Sequence, residues 1–313
     1  MTLTELRYVV AVAREKHFGR AAEICFVSQP TLSVAIRKLE EELGVVLFER
    51  GAGDVSVTPI GMRIVAQAQR VVEEAAAIKE IASQGKDPLN EALRLGAIYT
   101  IAPYLLPQLV KQLHKRAPKM PLLIEENYTS RLIEMLRAGA VDVIVVALPI
   151  ESTGLMLQPL YDETFQVAVP VGHSWAERKR ISAADLVKQP LLLLGSGHCF
   201  RDHVLDSCPA LNRGTAAPGS LQQTVEGSSL ETIRHMVASG VGVTVLPSTS
   251  INPSEKQGLL RYIPFTRPIP DRRVVLAWRK SYPRLRMIDL LHQSILASSL
   301  PGVFFLDLPR QEG

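Results

Sequence analysis

The stretch AAEICFVSQPTLSVAIRKLEEELGVVLFER, residues 21–50, decides how this chain begins. Within it Ser28 or Gln29 can cap a helix, and Pro30 suits the first turn, where a missing N–H costs nothing. Leu32, Ile36, Leu39 and Leu43 then fall on one apolar stripe, and Gly44 is the residue type that ends a helix. Off the stripe lie Gln29, Thr31, Ser33, Val34, Arg37 and Lys38, side chains of the kinds that read base edges, a thymine methyl or phosphate. With Pro30 they form a candidate DNA-reading set. A plain solvated helix face has the same composition, so the flanks must decide.

Upstream, Leu3, Leu6, Val9, Val10 and Ala13 recur at helical spacing, and Phe18, Ala21, Ala22 and Cys25 supply a second short apolar face. Two short helices, a turn and a helix with a polar outer face form the helix-turn-helix pattern. Downstream, VVLFERGAGDVSVT (45–58) reads as strand, glycine-rich turn and strand, a wing beside it. Thr58-Pro59 opens a further helix, on which Ile64, Ala68, Val71, Ala75, Ile78 and Ala82 repeat in steps of four and three. That heptad seam predicts a dimerising linker helix, against the plainer reading of a helix packed on its own domain. Dimerisation would set two reading helices on two half-sites about one turn of DNA apart.

From Ala92 the grammar changes to β-α-β-α-β, the signature of a parallel sheet with crossover helices. Further strands and helices follow to the end, with NRGTAAPGS (212–220) the most loop-like run. The expected fold is therefore α/β with an N-terminal all-α, winged helix-turn-helix unit. Residues 1–58 form that unit, 59–89 the linker helix, and 90–313 a two-lobed effector domain, with lobe I at 90–164 and 268–313 and lobe II at 165–267. GSGHCF and GVGVTV lack the spacing of a nucleotide-binding glycine loop, so no cofactor is expected.

Composition sets outer limits. The chain has 313 residues, 47% apolar and 21% charged, with net charge +4. Residues 1–50 hold seven Lys/Arg and seven Asp/Glu, so any DNA binding rests on where charges sit rather than on their number. No segment approaches the ~18 consecutive apolar residues of a membrane span, which with a first segment unlike a signal peptide points to a cytoplasmic protein with no membrane partner.

The three cysteines argue against a disulfide framework. Two stand in GHCFRDHVLDSC (197–208): Cys199 and Cys208, with His198, Arg201 and His203 around the first. Three readings compete. An inert core pair is the commonest fate of free cysteine, but Cys199 follows Gly-Ser-Gly-His, a strand-end loop aimed at a cleft. Zinc would find ligand types here but not the usual ligand spacing, so no metal is expected. The third is a thiol switch, with His198 and Arg201 placed to stabilise a thiolate, depending on how the segment turns.

The order of parts resembles the LysR-type transcriptional regulators, and the likeness runs over nearly the whole chain. GAIYTIAPYLLPQL, GHCFRD, the second cysteine and SSLETIRHMVASGVGVTVLP narrow it to the hydrogen-peroxide-sensing members. One departure is Phe26, in the turn before the reading helix, where histidine is the expected residue. The resemblance implies a peroxide-sensing, DNA-binding regulator of antioxidant genes with a two-lobed effector domain of the periplasmic-binding-protein type. Cys199 would be the peroxidatic residue, oxidised to sulfenic acid and joined to Cys208 as the resolving residue. Thr100, Thr129 and His198 would line the peroxide pocket, with Arg272 near the thiolate, although Arg273 blurs that assignment. The implied partners are double-stranded promoter DNA, hydrogen peroxide, further copies in a homodimer or homotetramer, RNA polymerase, and a thiol-disulfide reductant that resets the switch. Such a protein is not an enzyme. The rivals are a thiol peroxidase, which the N-terminal reading unit opposes, and a metabolite-responsive regulator of the same family using the interlobe cleft.

A disulfide needs Cα atoms within about 7 Å. If residues 199–208 are partly helical when reduced, oxidation must remodel them, repack the effector dimer and shift the DNA-reading heads.

Overall fold

The computed structural model describes residues 1–50, 55–82, 91–209, 225–251, 258–306 and 311–312. Its first unit packs α1 (Leu3–Glu15), α2 (Phe18–Ile24) and α3 (Gln29–Leu43) around one apolar cluster. Ser28 caps α3, its side chain accepting from the Thr31 N–H, and Gly44 ends it at φ 68°, a conformation that costs glycine nothing. Leu32, Ile36 and Leu39 are fully buried as the stripe requires. Leu43 is not: it stands 37% exposed, because the last turn of α3 runs past the edge of the core. The wing pairs β1 (Phe48–Arg50) antiparallel with β2 (Val55–Val57), and its turn at 51–54 lies outside the described residues. Glu40 of α3 anchors it by accepting from the backbone N–H groups of Leu47 and Phe48, at 2.7 and 3.2 Å.

The helix α4 (Pro59–Ala82) starts at Thr58, whose hydroxyl accepts from the Gly61 N–H at 2.9 Å. The heptad seam divides along it. Ile64 and Ala68 join the core of the first unit, whereas Val71 and Ile78 remain exposed, Ile78 at 67%. The Ala82 side chain lies outside the described residues, as does 83–90. On another face of α4, buried Gln69 donates to Glu73, and Glu73 pairs with Arg279 and Ser281 of the effector unit.

In lobe I, β3 (Leu93–Ile98) lies parallel between β4 (Leu122–Asn127) and β5 (Val143–Ala147), with α5 (Ala102–Arg116) and α6 (Thr129–Arg137) as crossovers. The strand β6 (Leu155–Pro170) then runs sixteen residues, its first part in lobe I and its last in lobe II. Lobe II adds β7 (Leu191–Leu194), α7 (Cys199–Ser207), β8 (Val225–Gly227), α8 (Leu230–Ala238), β9 (Val243–Pro247) and β10 (Leu260–Pro264). The chain returns through β11 (Asp271–Arg279), antiparallel between β5 and β6, to α9 (Leu285–Leu296), which packs on α5. Two short strands, β12 (Val303–Phe305) and β13 (Gln311–Glu312), edge β6. Each lobe has its own apolar core. The loop-like run 212–220 lies outside the described residues. No helix among the described residues is long and apolar enough to cross a membrane.

Candidate peroxide-sensing site and DNA interface

A loop at Gly195–Gly197 carries the chain from β7 to Cys199, the first residue of α7. Gly197 sits at φ 96°, a conformation that favours glycine, and the Tyr128 ring lies beside it. Half-buried Cys199 packs against the lobe I core, while Cys208, 2% exposed, belongs to the lobe II core. Nine residues at a helical rise place their Cα atoms about 13 Å apart, beyond the reach of a disulfide. Burial pushes the Cys208 thiol up to about 11.

Cys199 opens on a small cavity of about 170 Å³ of empty space, with room for roughly one water-sized molecule. Thr100, Thr129 and His198 line it. Three helices begin at its wall: α5 just after Thr100, α6 with Thr129, and α7 with Cys199 itself. None of the three carries a side-chain cap, and their dipoles favour negative charge there. The residue spacing carried no sign of this convergence.

Two buried polar atoms in the cavity wall have no hydrogen-bond partner: Thr129 Oγ1 and His198 Nε2. His198 is 5% exposed and engaged with the Ser228 backbone, and burial holds its pKa below the usual imidazole range. It is therefore neutral near pH 7 and serves as a hydrogen-bonding group. Arg201 turns into lobe II, donating to the Leu194 carbonyl at 2.9 Å and to Glu226 at 2.7 Å. His203, one turn beyond Cys199, ties α7 to lobe I through the Leu148 carbonyl at 2.7 Å.

Arg272 stands behind the cavity wall. It donates to Thr100 Oγ1 at 2.8 Å, to the Thr100 carbonyl at 2.9 Å and to Glu163 at 2.7 Å, and covers the Phe200 ring at 5.1 Å. Both Arg272 and Glu163 side chains are wholly buried, and Glu163 also accepts from Thr249 of lobe II. Arg273 points elsewhere, to partly buried Asp162. Because Arg272 occupies the acceptor side of the Thr100 hydroxyl, that hydroxyl keeps its proton for a guest. No group of three or more His, Cys, Asp or Glu among the described residues is placed to hold a metal ion.

At the other end of the molecule Gln29, Pro30, Thr31, Val34, Arg37 and Lys38 are exposed on α3, and Ser33 is half-buried. Phe26 stands 94% exposed beside them at φ 56°, rare for a bulky residue.

Residues 3–62 match the family model described as bacterial regulatory helix-turn-helix protein, lysR family, and residues 86–299 match the LysR substrate binding domain. The chain is 39% identical over 298 residues, 95% of each protein, to the DNA-binding transcriptional dual regulator OxyR of Escherichia coli K12. The chain belongs to the LysR family, in its OxyR branch. Among solved LysR-family structures, full-length OxyR of Pseudomonas aeruginosa, a cysteine-to-aspartate variant, is 50% identical over 99% of both chains with TM-score 0.85. A hydrogen-peroxide-bound cysteine-to-serine mutant of Corynebacterium glutamicum OxyR is 34% identical over 95% of this chain and 92% of that one, with TM-score 0.61.

Proposed function

We propose that this protein is a cytoplasmic, peroxide-sensing transcription regulator in which Cys199 is the sensor and Cys208 the resolving thiol. The observation that carries this reading is the cavity. A nucleophilic sulfur faces a small cavity whose wall holds unpartnered Thr129 Oγ1 and His198 Nε2 and a Thr100 hydroxyl that accepts from Arg272 and can still donate. Those groups suit a molecule that both donates and accepts hydrogen bonds at each oxygen.

The chemistry closes without a cofactor. The Cys199 thiolate attacks one peroxide oxygen, an S–O bond forms as the O–O bond breaks, and the departing hydroxide takes a proton to leave as water. Cys208 then attacks the sulfenic sulfur, forming the S–S bond and expelling a second water. Two thiols are oxidised for one peroxide reduced, and a thiol reductant must restore them. The protein consumes its own thiols, which suits a regulator rather than an enzyme. A non-reducing peptide map before and after a peroxide pulse tests the reading: the expected product links the Cys199 and Cys208 peptides, and a map unchanged by peroxide overturns it.

On the DNA side, α3 supplies the reading face through Gln29, Thr31, Ser33, Val34, Arg37 and Lys38, with Pro30 shaping its first turn, and RNA polymerase is the downstream partner. Arg37→Ala is expected to weaken operator binding by about 1–3 kcal/mol, with a shallower salt dependence if the contact is to phosphate. Unchanged binding at two salt concentrations would reduce that face to a solvated one.

The exposed Val71 and Ile78 on α4 support self-association, as a dimer that pairs into a tetramer. Sedimentation at micromolar concentration is expected to show no monomer; a predominantly monomeric protein would refute it.

A further inference from the structure

Two cavities share a wall. Outside the Cys199 cavity lies a cleft between the lobes with about 720 Å³ of empty space. Tyr99, Thr100, Tyr128 and His198 line both spaces, so whatever passes from cleft to sulfur passes these side chains. Three of them are rings in mutual contact. Tyr99 and Tyr128 meet edge-on with centroids 5.3 Å apart, Tyr128 and His198 at 4.8 Å, and Tyr99 and His198 at 6.0 Å. These are favourable aromatic geometries, which hold the rings in place. Tyr128 also lies against Gly197, closing the side toward the sensor loop. Tyr99 and Tyr128 are 38% and 36% exposed, so they do not serve as core packing.

We propose that Tyr99 and Tyr128 form a size filter that restricts Cys199 to hydrogen peroxide and excludes bulky organic hydroperoxides. The proposal rests on the peroxide reading of the site and adds the residues that set oxidant specificity. Attack requires the sulfur, the oxygen it bonds and the departing oxygen to lie in line at close range. With an organic hydroperoxide the S–O bond forms at the terminal oxygen, the O–O bond breaks, and the alkoxide takes a proton to leave as an alcohol. Its substituent must therefore extend away from Sγ, out through the mouth that the rings occupy. Hydrogen peroxide has a hydrogen there instead.

The test uses the reduced full-length chain and follows Cys199 by peptide mass. Wild type, Tyr99→Ala/Tyr128→Ala and Tyr99→Phe/Tyr128→Phe are each treated with hydrogen peroxide, cumene hydroperoxide, iodoacetamide and a pyrene maleimide. In the alanine variant the rate ratio of cumene hydroperoxide to hydrogen peroxide is expected to rise at least about tenfold, the scale on which steric misfit discriminates. The ratio of maleimide to iodoacetamide should rise with it. The phenylalanine variant should keep both wild-type ratios, since bulk and not the hydroxyl does the filtering. If hydrogen peroxide oxidises wild-type Cys199 but neither ratio moves in the alanine variant, the filter is refuted and the sensor stands. A phenylalanine variant as permissive as the alanine one refutes it too. A wild-type Cys199 that hydrogen peroxide leaves unoxidised overturns the peroxide reading itself, whatever the alkylation ratio shows.

Discussion

Replacing Cys199 with serine is expected to abolish the response to peroxide while leaving DNA binding by the reduced protein intact. Serine matches cysteine closely in shape but hardly ionises, so the half-buried packing against lobe I survives and the nucleophile does not. Cys208→Ser should behave differently. It keeps the attacking sulfur and loses the partner, so sulfenic acid should accumulate and overoxidation should follow. Wild type lies between these extremes, because the Cys208 thiol, pushed up to about 11, exposes only about one thiolate in ten thousand at pH 7 while it stays in the lobe II core. Disulfide formation therefore waits on the unwinding of α7, and trapped sulfenic acid should precede the disulfide in time. Intact-mass spectrometry with a sulfenic-acid trap reads all three forms. An adduct in Cys199→Ser but none in Cys208→Ser would reverse the assigned roles; transcription unaffected by either change would make the pair structural.

Arg272→Met is expected to cost about 3–5 kcal/mol of stability, a large part of what a folded domain has. The cause is the carboxylate left behind. Glu163 is wholly buried, and methionine fills much of the arginine's volume without supplying any of its charge. Adding Glu163→Gln removes the orphaned charge and should recover at least half of the loss. Urea denaturation of the single and double variants measures both. A single variant within about 1 kcal/mol of wild type would show that the pair contributes little, and a double variant no better than the single one would place the loss in packing instead of charge.

How legible these features were in the sequence depends on how local they are. The reading helix showed itself because cap, proline, stripe and terminal glycine all lie within seventeen residues, Ser28 to Gly44. Even there Leu43 kept the period without the burial, since periodicity does not report where a core ends. The strand β6 has no single sequence signature. Its first half carries Pro159, which breaks the alternating pattern, and the register against β11 slips between Val274 and Val275 to absorb Leu160 as a bulge. The Glu163–Arg272 pair joins residues 109 apart, and nothing in either neighbourhood announces the other. Thr100 and Thr129 entered through the family resemblance, and the structure brings both to the wall of the Cys199 cavity. Tyr99 and Tyr128 gave no signal at all, because an aromatic beside a threonine is as common in a core as at a gate. The place of Arg201 hung on how the segment turns, which its local sequence does not show; a helix starting at Cys199 carries it to Leu194 and Glu226.

The uninterrupted course of β6 bears on what kind of signal this protein can carry. Its backbone is hydrogen-bonded to β11 on the lobe I side and to β9 and β10 on the lobe II side, with no loop at the crossing where the chain might bend freely. Sensors that answer to occupancy work as jaws, reporting how much ligand is present at that moment. Here a continuous strand ties the lobes at that crossing, and the segment that must rearrange for the two sulfurs to meet is the short helix α7, which begins at Cys199 and ends just before Cys208. What it records is a covalent event that outlasts the molecule that caused it. The readout is then a tally of recent exposure, erased only when a reductant arrives, so its persistence is set by the pace of erasure and not by how fast the stimulus diffuses away.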